Sequence, residues 1–362
     1  MPEGQHDDLK DRAQVILDTC VGENLDQLAT LDMRGDGMLR VLFHAARELQ
    51  GASLVLTAAR LLADHVAKGR RVLILTGFLS PRAYPETDGL IGSAVLAATL
   101  ERACGAVPVF VCEPEVIAPL SAALRAAGLN VCPQLADTTE VPHATVVLPF
   151  PRDRSAAEVA TTELANQIDP TVCIAIERPG ANTKGQYHFA MGKNVSVDIA
   201  PVDLLYSELS GRGVPTIGVG DFGNELGMGK IYDAVCRETP AGANCGCGCG
   251  GGTACAIPAD ATVIVSVSDW GAYAIAACFA YLRRDPTVLV GSDVYRRILE
   301  DTVRAGAIDG PTGYALPYVD GIDARVNVAL LEVMRAAVEY PAKTPAHPEL
   351  RLFRARRAGK ED

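Results

Sequence analysis

The chain has 362 residues, of which 49% are hydrophobic, 21% are charged and 5% are aromatic. This composition is typical of a globular protein and excludes an intrinsically disordered chain. The formal net charge of −11 argues against nucleic-acid and anionic-membrane partners, because phosphate groups are bound by clustered Lys and Arg. The N-terminal residues are polar and acidic, and no run of about 18 apolar residues is present. We therefore expect a cytoplasmic protein that does not enter a membrane.

The apolar residues alternate between helical and strand-like patterns along the chain. Residues 8–68 predict helices, because apolar side chains recur every three or four positions. Farther along, strands are predicted within 70–78, 106–112, 143–150, 171–180, 214–224 and 261–271, and helices within 91–104, 115–128, 156–168, 202–213 and 272–284. Such alternation is typical of βαβ units. The sequence thus predicts an α/β fold in three layers, with a mostly parallel, doubly wound sheet and helices on both faces.

Neither an internal repeat nor a long linker interrupts this alternation, which favours one compact domain. We predict an N-terminal helical segment over residues 1–40, a single α/β catalytic domain over 41–340 and a charged C-terminal tail over 341–362. The oligomeric state stays open, and a homo-oligomer is compatible with the sequence.

Polar loops follow four of the predicted strands. Ligands of open parallel sheets bind beyond the carboxyl ends of the strands, so these loops are the candidate site. They cover residues 76–89, 177–188, 218–230 and 268–273. We expect them to converge on one edge of the sheet.

The first loop is longer than most connections of its type and ends in Glu86-Thr87-Asp88. Its two acids could cap the helix that follows, or they could bind a cation or an amine. The second loop begins with Glu177 and Arg178. Arg178 forms an internal salt bridge in one interpretation and binds a substrate carboxylate in the other. Because neighbours on a strand point to opposite faces, a more distant acid or the substrate must supply the anion rather than Glu177.

The third loop matches G-x-G-x-x-G from Gly218 to Gly223, the pattern of dinucleotide-binding loops. Asp221 and Glu225 would repel a pyrophosphate, so we favour another interpretation. Asp221, Asn224 and Glu225 are predicted to be oxygen ligands of a divalent cation. A turn that is rich in Asp and Asn for conformational reasons is the alternative.

The fourth loop and a cysteine-rich stretch carry less specific signals. Asp269 is expected to cap a helix that begins at Ala272, and Trp270, the single tryptophan, to pack in the core.

The cysteines of the stretch lie at Cys245, Cys247, Cys249 and Cys255. Metal sites usually combine C-x-x-C pairs or a histidine, and neither is visible here. We therefore expect a mobile, glycine-rich loop with exposed thiols.

Five segments occur in a fixed order along the chain: GFLSPRAYPETDGLIG, ERPG, Pro201-Val-Asp203, GVGDFGNELGMGK and SDWGAY. In this order they resemble the C-terminal domain of the D-glutamate cyclase family, and the resemblance covers about residues 40–335. The resemblance implies a carbon–oxygen lyase (a hydro-lyase) that cyclises D-glutamate to 5-oxo-D-proline with loss of water. The chain departs from the family pattern at Phe222, Lys193 and Asp269, and the Cys-Gly run is an insertion. These departures affect the substrate more than the fold.

The loops and the resemblance together imply an acidic amino acid as the small-molecule substrate. They also imply Mn or Mg as the cation, no organic cofactor, and a set of site residues. The expected catalytic residues are Glu86, Asp88, Glu177, Arg178 and Tyr187; the substrate-binding residues are Gly77, Thr87, Gly180, Asp203 and Gly220; the metal ligands are Asp221, Asn224 and Glu225. Either Glu86 or Glu177 would be the general base. A metal-dependent phosphohydrolase is one alternative, although no D-x-D motif follows the first strand. A non-catalytic module that binds an amino acid or a nucleotide is the other.

Overall fold

The computed structural model describes residues 3–35, 37–80 and 83–343, which include a sheet of seven parallel strands. The strands are β1 (Arg71–Thr76), β2 (Leu79–Ser80), β3 (Tyr84–Pro85), β4 (Val107–Cys112), β5 (Asn130–Cys132), β6 (Ala144–Pro149), β7 (Val172–Ile176), β8 (Thr216–Gly220), β9 (Ala261–Ile264), β10 (Tyr318–Val319) and β11 (Ile322–Asp323). The sheet order is β5-β6-β4-β1-β7-β8-β9, and β2–β3 and β10–β11 are small separate pairs. The predicted α/β fold is confirmed.

Helices surround this sheet and account for most of the remaining described chain. They are α1 (Glu3–Ala29), α2 (Met38–Gln50), α3 (Leu54–His65), α4 (Leu90–Cys104), α5 (Pro114–Ala126), α6 (Arg154–Ile168), α7 (Asp203–Gly211), α8 (Tyr232–Glu238), α9 (Ser268–Leu282), α10 (Ser292–Arg304) and α11 (Ala324–Lys343). Among the described residues, no helix combines the length and the apolar character that crossing a membrane requires. The predicted charged tail falls largely on residues 344–362, which lie outside the described part of the chain.

The two faces of the sheet bury separate apolar cores. Successive side chains of a strand point to opposite faces, and β1 follows this rule. Val72 and Ile74 join the larger core with residues of α3, α4 and α9, whereas Leu73 and Leu75 join the smaller core with residues of α6 and α7. The N-terminal helix α1 also enters the larger core, through Val21, Leu25 and Ala29.

The order in which the chain adds strands to the sheet reverses between β1 and β7. The strands β4, β5 and β6, which follow β1 in the chain, lie on one side of it, and β7, β8 and β9 lie on the other side. At such a switch point the connecting loops diverge and leave a crevice outside the carboxyl ends of the strands. The loops after β1, β7 and β8 border that crevice.

The predicted fourth loop is in fact the first turn of α9. This helix begins at Ser268 and not at Ala272, so the expectation that Asp269 caps it is wrong. The Asp269 carboxylate instead accepts hydrogen bonds from the backbone N–H groups of Gly89 (2.9 Å) and Gly92 (2.6 Å) at the start of α4. In exchange, Asp88 accepts from the N–H groups of Ser268 (3.2 Å) and Asp269 (2.8 Å) at the start of α9. Each acid satisfies the free N–H groups of the other helix, because the two N-termini meet.

Candidate active site

A cavity of about 380 Å³ lies at the switch point of the sheet. It is lined by Phe78, Glu86, Glu177, Phe189, Ala190, Met191, Lys193, Asp221, Phe222, Asn224, Glu225, Gly310, Pro311 and Asp320. Five of these side chains are carboxylic acids. The cavity, here called the acidic cavity, is large enough for a small polar metabolite.

Three of its acids lie close together and are here called the acidic trio: Glu177, Asp221 and Glu225. One carboxylate oxygen of each lies within 4.8 Å of a carboxylate oxygen of the other two. All three residues are buried. Burial raises the pKa of Glu177 well above its ordinary value, and the charge of Asp221 raises it further. Burial likewise raises the pKa of Asp221, with added repulsion from Asp320 and Glu225. Buried acids this close are destabilised as anions unless a cation joins them.

Local backbone structure holds the trio in place. Glu177 follows β7 at φ 44°, a left-handed conformation that turns its side chain out of the regular strand alternation. The Ser268 hydroxyl donates a hydrogen bond of 2.6 Å to Glu177. Glu225 accepts from the N–H groups of Phe222 (3.2 Å) and Gly223 (2.8 Å). A Cβ atom at Gly220 would lie 2.6 Å from a Glu225 carboxylate oxygen, so a side chain there would displace this acid.

Asn224 lines the same cavity as the trio and brings a further oxygen. Its Nδ2 donates to the backbone carbonyl of His188 at 3.2 Å, which fixes the orientation of the amide. Its Oδ1 is buried and has no hydrogen-bond partner within the described residues. A buried oxygen without a donor costs free energy unless something binds it. Carboxylate and amide oxygens are the ligands that Mg²⁺ and Mn²⁺ prefer, so this donor set fits a hard divalent cation.

Arg34 is a neighbour of the trio that sequence reasoning missed. Its guanidinium donates to Asp221 at 3.0 Å and to Asp320, and it lies 5.0 Å above the Phe222 ring. A further bond of 2.8 Å goes to the carbonyl of Ser266. No local pattern could have revealed this role, because Arg34 lies in the short connection before α2. Arg34 offsets part of the negative charge of the cavity.

Glu86 is on the side of the cavity formed by residues 308–321. Its backbone pairs with Ile308, and a Cβ atom at Gly310 would lie 2.5 Å from its carboxylate. Burial raises the pKa of Glu86 to about 8, and the charges of Asp320, Asp88 and Asp309 contribute to that rise. Glu86 therefore exchanges a proton near neutral pH.

Comparison with known proteins identifies the family of this site. The sequence model described as "D-glutamate cyclase-like, C-terminal" matches residues 25–335. The chain belongs to the D-glutamate cyclase-like family. It is also 30% identical over 286 residues to a human protein named D-glutamate cyclase, mitochondrial. That match covers 75% of this chain and 42% of the human protein, so the chain spans less than half the length of this relative.

In this D-glutamate cyclase-like chain, five of the residues predicted for the site line the acidic cavity. They are Glu86, Glu177, Asp221, Asn224 and Glu225. Asp88 is buried behind them, with both carboxylate oxygens bonded to backbone N–H groups. Burial and Asp320 raise the pKa of Asp88 to about 7.

Arg178 pairs with a distant acid of the protein. Its two terminal nitrogens donate to the two oxygens of Glu113 at 2.5 and 2.6 Å, and both side chains are fully buried. It also donates to the carbonyls of Gly77 (2.9 Å) and Ala200 (2.7 Å). Of the two anions considered for Arg178, the structure shows the distant acid, and a role of Arg178 in binding a substrate carboxylate stays a prediction. Glu113 was missed, although an acid directly after the apolar strand β4 resembles Glu177 after β7.

The other predicted residues do not line the cavity. The Tyr187 hydroxyl donates to Asp203, and burial raises the pKa of both side chains. Thr87 is buried and donates to the carbonyl of Tyr318 at 2.8 Å. Gly180 lies against Cys255 and Leu226, with no room for a side chain. A role of these residues, and of Gly77 and Gly220, in catalysis or substrate binding stays a prediction.

The Glu86→Gln variant should lose part of the pH dependence of folding. The ordinary pKa of this carboxyl group, 4.5, rises to about 8 in the folded state, so the folded protein keeps a proton that the unfolded chain releases. The resulting stabilisation is complete below pH 4.5 and is lost as the pH rises towards 8. Between these pH values the free energy of unfolding of the unmodified protein should fall as the pH rises. In Glu86→Gln the slope of this fall should be smaller by up to about 1.4 kcal/mol per pH unit.

Urea unfolding in the presence of a chelator, at several pH values across the window, measures this change. The matched control is Glu163→Gln on the exposed side of α6, which should keep the slope of the unmodified protein. An unchanged slope in Glu86→Gln would show that Glu86 is ionised in the folded state throughout the window.

Proposed function

We propose that this chain is a lyase that cyclises D-glutamate to 5-oxo-D-proline with loss of water. Membership of the D-glutamate cyclase-like family supports the reaction class. The observation that carries the proposal is the buried acidic trio with the unpartnered Oδ1 of Asn224, inside a cavity that also presents a proton-exchanging Glu86. These are the groups that closing an amino acid onto its own carboxylate requires.

The reaction joins two ends of one molecule. The α-amine nitrogen forms a bond to the γ-carboxylate carbon, and one oxygen of that carboxylate leaves as water. Both protons of this water come from the ammonium group, so the reaction neither consumes nor releases a proton overall. Because the nucleophile and the electrophile are tethered, a cavity that holds the folded conformer supplies a large part of the rate.

A divalent cation would be held by Asp221, Asn224 and Glu225, with Glu177 beside them. When bound, it would polarise the γ-carboxylate and make its carbon a better electrophile. The acids that hold it contribute a second effect, because they attract the ammonium end of the substrate. Arg34 keeps Asp221 oriented through its 3.0 Å hydrogen bond.

We assign the proton transfers to Glu86. With a pKa of about 8, its carboxylate can take a proton from the amine nitrogen, and its acid form can pass that proton to the departing oxygen. Two such transfers in turn supply both protons of the water. Glu177 is less suited to this task, since it is bonded to the Ser268 hydroxyl within the trio. Lys193 lies on the exposed rim of the cavity and is placed to attract the α-carboxylate.

Turnover of D-glutamate by the purified chain tests the proposal. We expect 5-oxo-D-proline to form with Mn²⁺ or Mg²⁺ and not after chelation, as measured by chiral chromatography. The L-enantiomer is the matched control and should react more slowly. Binding of D-glutamate without turnover would favour a binding module, and cation-dependent hydrolysis of a phosphate monoester without lactam formation would favour a phosphohydrolase.

A further inference from the structure

The cysteine-rich stretch folds back onto His188. The Cys245 sulfur lies 3.0 Å from that of Cys247 and 3.4 Å from that of Cys249. His188 Nε2 lies 3.3 Å from the Cys247 sulfur and 3.7 Å from the Cys249 sulfur. All four ligand atoms fall within 4.8 Å of one another. The histidine that the sequence did not reveal is therefore supplied by a segment far away in the chain.

We propose that His188, Cys245, Cys247 and Cys249 bind one zinc ion as a structural site, here called the thiolate site. Structural zinc is bound tetrahedrally by Cys and His, and three cysteines with one histidine form a common set. Ligand atoms at the usual distance of about 2.3 Å from zinc are separated from one another by about 3.7 Å. The observed separations are close to this value and need only small movements. Soft thiolates also distinguish the thiolate site from the oxygen ligands of the acidic trio.

The intervening glycines explain how three alternate cysteines converge. In an extended strand, residues two apart share a face but lie about 7 Å from each other. Gly246 and Gly248 between the cysteines, and Gly250 after the last of them, have φ values of 73°, 88° and 74°, a region that other residues rarely adopt. A Cβ atom at any of the three would meet nothing within 4 Å, so glycine is required there for the backbone conformation and not for space. The alternation Cys-Gly-Cys-Gly-Cys thus curls the chain around a common point.

Donors around the sulfurs favour thiolates. The N–H of Gly251 and the Nδ2 of Asn182 donate to the Cys249 sulfur at 3.4 and 3.5 Å, and the Nδ2 of Asn194 donates to that of Cys247 at 3.8 Å. Such outer contacts orient and stabilise metal ligands. Cys255, the fourth cysteine of the stretch, is buried elsewhere against Ile257 and takes no part.

The thiolate site would fix one wall of the acidic cavity. His188 precedes Phe189, which lines the cavity and stacks on Phe78 with ring centres 5.1 Å apart. The backbone carbonyl of His188 also accepts the hydrogen bond that orients Asn224. A Cβ atom at Gly192 would lie 2.6 Å from the carbonyl oxygen of Cys245, so the two segments are in close contact. Zinc would position this wall without touching the substrate.

Metal analysis of the protein purified from zinc-supplemented cells tests the proposal. We expect one zinc per chain by mass spectrometry of the metals. The triple variant Cys245→Ser, Cys247→Ser, Cys249→Ser should lose this zinc, whereas the exposed Cys20→Ser should keep it. Asp221→Asn should keep it too, which separates the thiolate site from the acidic trio. Cobalt exchanged for zinc should give the thiolate-to-cobalt charge-transfer bands of a tetrahedral site.

Three results would overturn the proposal, and none depends on the folding of a variant. One is an unmodified protein that neither contains zinc nor takes up zinc or cobalt. A second is a disulfide among the three cysteines of the freshly purified protein. The third is iron–sulfur absorbance in place of zinc. Hydrogen exchange with and without zinc tests the positioning role, because removal should speed exchange in residues 186–195 and 241–253. Unchanged exchange in these residues would contradict the positioning role and would restrict the effect of zinc to its own ligands.

Discussion

Asp221→Asn is expected to lower the turnover of D-glutamate by about a hundredfold or more. Asp221 belongs to the acidic trio and is oriented by Arg34. An amide keeps its size but removes the negative charge that attracts a cation and the substrate ammonium group. The measurement is kcat/KM with saturating Mn²⁺, and the matched control is Asp64→Asn on the exposed end of α3, which should leave activity unchanged.

The free energy of unfolding of Asp221→Asn distinguishes a functional role of Asp221 from a structural one. Burial and neighbouring acids raise the pKa of Asp221, so its charge is unfavourable in the folded protein without a cation. Asp221→Asn should therefore leave the chelated protein as stable as before, or more stable. Mn²⁺ at about 100 times its Kd should stabilise the unmodified protein by about 2.7 kcal/mol and the variant by much less. Parallel losses of activity and of stability in the chelated variant would instead make this loop structural.

Glu113→Gln is expected to destabilise the fold by about 3–5 kcal/mol, because it leaves the buried guanidinium of Arg178 without a counterion. Glu113 accepts from both terminal nitrogens of Arg178 and from the N–H of Ala200 at 2.7 Å, in a fully buried environment. The pair joins the ends of β4 and β7, and Arg178 also bonds the carbonyl of Gly77 after β1. Chemical denaturation measures the loss.

The next ion pair along the chain offers a matched control. Glu115 forms a two-pronged bond with Arg152 at 3.0 and 2.7 Å, but the two side chains are 36% and 31% exposed. Glu115→Gln should cost about 1 kcal/mol or less. Replacing the buried pair together, as Glu113→Leu with Arg178→Met, should recover much of the loss. If Arg178→Lys weakened D-glutamate binding with stability intact, Arg178 would be a substrate ligand after all.

The fold was largely predictable because short-range patterns determine it. Strands buried on both faces are continuous apolar runs, and β1, β4, β6, β7, β8 and β9 all lie within predicted strands. Helix α10 was predictable as well, although no helix was assigned to residues 292–304. In α10, the buried residues Tyr295, Ile298, Leu299 and Thr302 follow the spacing of a helical face. The start of α9 was misplaced because the acid that caps its N-terminus is Asp88, which lies in the distant loop before α4.

The sequence by itself determined that the loops after β1, β7 and β8 line the cavity, since parallel strands all present their carboxyl ends at one edge of the sheet. That rule brought Glu86, Glu177 and Asp221 together from loops far apart in the chain. The fourth predicted loop does not line the cavity, and the contribution of Gly310, Pro311 and Asp320 was not predicted. Only the tertiary structure decided the partners of individual side chains. Arg178 and Glu113 are 65 residues apart, Asp88 and Asp269 are 181 apart, and His188 and Cys247 are 59 apart. Such pairs depend on how helices and loops pack across the sheet, and no local spacing in the sequence encodes them.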